Sequence, residues 1–117
     1  MKASLIVIGL CTLASASAFA ECAFPKAPDT IPDGKTAAES EMINVMTQFK
    51  QYNLDVDAYL VCLDSETTAK VKDADSPGAI LQLKAMQQKK RTSAVDERKA
   101  KVDTFNEQVR TFKARKS

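Results

Sequence analysis

Between Thr36 and Thr68 the apolar residues fall on a heptad. Met42, Phe49, Val56 and Leu63 recur every seven positions, and Val45, Tyr52 and Tyr59 form a second series three residues behind the first. A seam of this kind, sustained over roughly four heptads, belongs to a helix that packs lengthwise against a partner helix. No other feature of the 117-residue chain constrains its fold as tightly, and that length suits one small domain. Charged residues make up 27% in mixed sign, aromatics are few, and His and Trp are absent. This balance suits a helical soluble fold. The missing His also removes the commonest general base and the commonest transition-metal ligand.

The first twenty residues read as a secretory signal peptide. Lys2 supplies a short positive start, Leu5–Leu13 a compact apolar run, and Ala18-Phe19-Ala20 the small-x-small cleavage pattern. The apolar run falls short of the roughly 20 residues a membrane-spanning helix needs. Neither cysteine context fits a lipoprotein, because Cys22 follows Glu21 and Cys11 follows Leu10. Cleavage after Ala20 would leave residues 21–117 in the periplasm or outside the cell, with the net charge reduced from +2 to +1 by the loss of Lys2. An exported chain with two remaining cysteines is expected to form a disulfide between Cys22 and Cys62, within one chain or between two.

Residues 21–35 contain Pro25, Pro28 and Pro32 and close on Asp33-Gly34. Proline at this density favours extended backbone, and Asp-Gly marks a turn. Thr36-Ala37-Ala38-Glu39 then reads as a capping box that opens a helix over 36–72. Ser76-Pro77 caps a second helix over 77–116. The apolar set of this second helix is Ile80, Leu81, Leu83, Met86, Val95, Val102, Phe105, Val109 and Phe112. The expected fold is all-α: a long antiparallel two-helix hairpin with an extended proline-rich arm tied to the first helix by one disulfide. An arm of 14 steps spans about 43 Å if polyproline-like, and 26 helical steps from Thr36 to Cys62 span about 39 Å. An arm reversing at Asp33-Gly34 therefore brings Cys22 to Cys62, with Phe24, Pro25 and Ile31 as a third layer. Folding at about residue 74 places Lys84 near Asp64 and Arg91 near Asp57, within about one helical turn. The polar run Gln87–Ser93 becomes either a charge-paired internal layer or a strip that the arm covers. A hairpin alone buries little surface, so a homodimer forming a four-helix bundle is a natural extension.

Charge is divided unequally. Residues 36–68 hold six acids against Lys50 alone, and residues 79–117 hold eleven bases against four acids. Lys89, Lys90, Arg91, Lys113, Arg115 and Lys116 could meet an anionic lipid or lipopolysaccharide surface, or simply neutralise the acidic helix. Asp55 and Asp57 lie two residues apart, on different faces, and cannot act as an acid–base pair. Met42, Met46 and Met86 are read as heptad packing residues, not as a soft-metal site. No phosphate loop, nucleophile elbow or metal-ligand cluster is visible. The pattern predicts no enzyme, no cofactor, no nucleic-acid partner and no transmembrane segment.

The run Cys22…Pro25…Pro28…Ile31-Pro32-Asp33-Gly34…Glu41-Met42, followed by Tyr59-Leu60-Val61-Cys62-Leu63, resembles that of small exported helical-hairpin proteins of Gram-negative bacteria. The resemblance covers Cys22–Leu63 and fades over the second helix. It implies a periplasmic location and the arm-and-hairpin architecture, and it transfers no activity or site residues. The expected role is a binding or chaperone-like module for a protein partner. The alternatives are binding of an anionic envelope surface through the basic second helix, or immunity-type inhibition of a secreted toxin.

Overall fold

The computed structural model describes residues 21–116, so the expected signal peptide lies outside the described residues. Two helices, α1 (Glu39–Lys72) and α2 (Pro77–Lys116), pack antiparallel and are joined by Asp73–Ser76. All seven heptad residues of α1, from Met42 to Leu63, are buried. On α2 the buried positions are Gln87, Ala94 and Phe105, with Val102, Val109 and Phe112 packed at the core's edge. The Phe49 and Phe105 rings stack with centroids 4.8 Å apart and an interplanar angle of 15°.

The arm lies against the hairpin as a third layer. Cys22 and Cys62 are bonded within the chain, with Cα atoms 5.8 Å apart, inside the range a disulfide accepts. Pro25 is buried and Ile31 packs on the core. Phe24 is half exposed and sets its ring edge against Tyr59 at 5.4 Å. At the other end Gly34 N–H donates to Gln108 Oε1 at 2.8 Å. A Cβ on Gly34 would stand 2.1 Å from the Gln108 carbonyl oxygen, so only glycine lets the turn sit this close to α2.

Five expectations are corrected. α1 opens at Glu39, three residues later than expected. Asp33 organises its own turn, its carbonyl accepting from Thr36 and Ala37 N–H and its carboxylate from Lys35 N–H. The capping carboxylate is that of Glu41, which accepts from Ala38 N–H at 2.7 Å, while Glu39 pairs with Lys116. The register is displaced by one heptad: Arg91 pairs with Asp64 rather than Asp57, and Arg98 takes Asp57 at 2.7 Å. A seven-residue shift leaves a heptad seam in phase, so side-chain fit selects among registers that periodicity treats alike. Leu81, Met86 and Val95 lie on the surface, and Gln87 and Ala94 are buried instead. Met46, expected in the core, is also exposed. By contrast Ser76 caps α2 as expected, its hydroxyl accepting from Ala79 N–H.

Candidate functional site

The packed core is confined to one part of the molecule. Its residues lie on α1 between Met42 and Leu63, on α2 from Ala94 onward, and on the arm. Beyond Leu63 the seam positions one and two turns on are Glu66 and Lys70, and Gln87 faces them from α2. The distal part of the hairpin is therefore joined by polar groups.

Glu66 is the centre of this layer. Its Oε1 accepts from Lys70 and lies 3.8 Å from Lys90 Nζ. Lys70, first, and then the Gln87 amide and Lys90 hold the Glu66 carboxyl below its ordinary range, against an opposing push from burial. Lys70 is correspondingly raised by Glu66. Gln87 is only 6% exposed, and neither its Nε2 nor its Oε1 reaches hydrogen-bond geometry; Glu66 Oε2 is equally unpartnered. Unsatisfied buried polar atoms cost roughly 1–3 kcal/mol each. The side of this layer away from the arm opens into a cleft of about 400 Å³ between the helices, bordered by Leu63, Asp64, Thr67, Lys84 and Arg91.

Apolar side chains surround the polar layer without covering it. Val71, Ala74, Ile80 and Leu83 are half buried at the hairpin end. Met86 is 55% exposed and Leu81 70%. Cys22 of the arm is bonded to Cys62, and the Glu21 charge beyond it acts on Lys70.

No protein-family model matches this chain, and no curated protein or solved structure is similar to it. Its own residues must therefore carry the functional reading.

The six expected surface bases are dispersed and mostly engaged. Lys90 faces Glu66, Arg91 pairs with Asp64 and Lys116 with Glu39. Arg115 donates to the carbonyls of Lys35 and Ala37, both at 2.7 Å, and stacks over the Phe112 ring. It closes the base of the arm, a role that its place near the chain terminus does not suggest. Lys89 and Lys113 are exposed and lie far apart on α2. Asp55 accepts from Gln51 and Asp57 from Arg98, so the two carboxylates serve different contacts. Among the described residues there is no cluster of three His, Cys, Asp or Glu side chains arranged to hold a metal, and no helix is long and apolar enough to cross a membrane.

Proposed function

We propose that this chain is an exported, non-catalytic binding module of the periplasm, and that a protein partner docks on the distal end of its hairpin. One observation carries the reading: the apolar core stops at Leu63 and Ala94, while apolar side chains continue to the hairpin end, half buried at Ile80 and Leu83 and exposed at Leu81 and Met86. A partner that covers Ile80, Leu83 and Met86 gains apolar contact there. A chaperone-like client and a secreted toxin held by an immunity-type inhibitor would both use this surface. An anionic envelope surface is less well supported, since Lys90, Arg91, Arg115 and Lys116 are occupied within the chain.

The test is a photoreactive residue placed at Met86, with a control at Leu54, exposed on the arm-covered half. A discrete protein adduct at Met86 that survives high salt and disappears with Leu83→Lys supports the reading. Equal adducts at both positions would contradict it, as would an adduct at Met86 that vanishes once salt screens exposed charges.

A further inference from the structure

The side of the hairpin opposite the arm carries a second seven-residue line that flanks the internal core, with Leu60, Val102 and Val109 packed at the core's edge and Met46, Leu81 and Val95 turned outward. On α2 it runs Leu81, Gln88, Val95, Val102, Val109, all one heptad apart. Leu81 is 70% exposed and Val95 36%, while Val102 and Val109 are half buried. On α1 the matching line is Met46, Asn53, Leu60, Thr67, again at seven-residue spacing, with Met46 40% exposed. The Asp57–Arg98 and Asp64–Arg91 pairs fix the register. They put Leu60 level with Val95, Met46 with Val109, and Thr67 with Gln88, in rungs about 10.5 Å apart. The cleft bordered by Thr67 and Gln88 contains no arm residue, whereas the arm lies along Gln48, Asp55 and Ala58 of α1 and Thr104 and Thr111 of α2. A helix with apolar residues on two adjacent heptad lines serves two partners, as in a four-helix bundle.

We propose that the occupant of this face is a second copy of the same chain, seated with the two hairpin ends together. Charge selects that arrangement. A two-fold axis along the helices lays the acidic α1 of one copy over the basic α2 of the other, whereas an axis across them would stack acidic α1 on acidic α1. Along the face, each intrachain pair, Asp57 with Arg98 and Asp64 with Arg91, then meets the same pair of the second copy in reversed order, acid over base. The parallel arrangement also keeps each rung level with its equivalent, so Leu60 of one copy meets Val95 of the other and the polar rung of Thr67 and Gln88 meets itself. Met86 lies on the other side of α2, so the dimer leaves the proposed partner surface open, in two copies at one end of the bundle.

The disulfide-intact chain in sedimentation equilibrium tests this, with Val95→Glu and Leu81→Lys as variants and circular dichroism as the fold control. The proposal expects twice the monomer mass at tens of micromolar protein, weakened about tenfold or more by either variant. A photoreactive residue at Leu81 should attach to the hairpin end of the second copy. A monomer up to millimolar concentration overturns the proposal, as does indifference of the dimer to both variants. Attachment from Leu81 to the segment around Met46 overturns the parallel arrangement.

Discussion

The two halves of this hairpin are built from the same helices and held together in different ways. The arm-covered half has three layers, a stacked pair of rings, a disulfide at one edge and a glycine turn at the other. The distal half has two layers and a polar seam, while apolar side chains turn to solvent in both halves, Leu54 and Val61 in one and Leu81 and Met86 in the other. Apolar burial contributes about 25 cal/mol per Å², while exposed ion pairs contribute little. Stability therefore concentrates under the arm, and the distal half is left able to exchange its contacts for those of a partner.

That contrast can be broken or sharpened by substitution. Leu63→Ala removes a side chain that is fully buried and should cost roughly 2–5 kcal/mol, whereas Leu81→Ala at the hairpin end should stay within about 0.5 kcal/mol; urea denaturation of both variants measures the difference. Cys22→Ser with Cys62→Ser opens a loop with a sequence separation of 40 and should cost roughly 3–4 kcal/mol by the loop-entropy account. Gly34→Ala sets a methyl against the Gln108 carbonyl and should cost about 1–3 kcal/mol, read as a lower urea midpoint and faster exchange of arm amides. Gln87→Leu removes a buried amide but also its support of the Glu66 carboxyl, so stability read from the urea midpoint should move by less than in the Leu63→Ala, cysteine or Gly34→Ala variants, within about 1 kcal/mol.

The halves should also answer to pH from opposite ends of the scale. The Glu66 carboxyl is held below its ordinary 4.5 by Lys70. Its contribution is present above that value and is lost as pH falls through the lowered one. Glu39 is lowered likewise by Lys116, but that pair is open to solvent and adds little. Burial raises the Tyr52 and Tyr59 hydroxyls above 10.0. Their contribution is complete below pH 10 and is lost as pH rises through the raised values. Acid should thus loosen the distal seam first, and alkali the arm-covered half, as followed by amide signals from each.

The architecture was largely legible because it rests on period and punctuation. Seven of seven seam residues on α1, the Ser76 cap and the Cys22–Cys62 bond follow from spacing and residue type. The heptad register was not legible, since every seven-residue shift presents the same pattern; Phe49 against Phe105 and Asp57 against Arg98 decide it only in three dimensions. The start of α1 lies three residues on because Asp33 takes the Lys35, Thr36 and Ala37 N–H groups into its own turn, and Glu41 then holds the Ala38 N–H at the helix entrance. Gln87 belongs to a polar run, and nothing local distinguishes it from Gln88. Its burial comes from its place in the seam, one heptad before Ala94.

Hydrogen exchange resolved along the disulfide-intact chain tests the central claim most directly. Slow amides should cluster in residues 42–63 and 94–112, with exchange at least tenfold faster over 66–72 and 80–90, about 1.4 kcal/mol or more in local opening. Uniform protection along both helices would mean that the hairpin opens as one unit and that its distal half is not the weaker part.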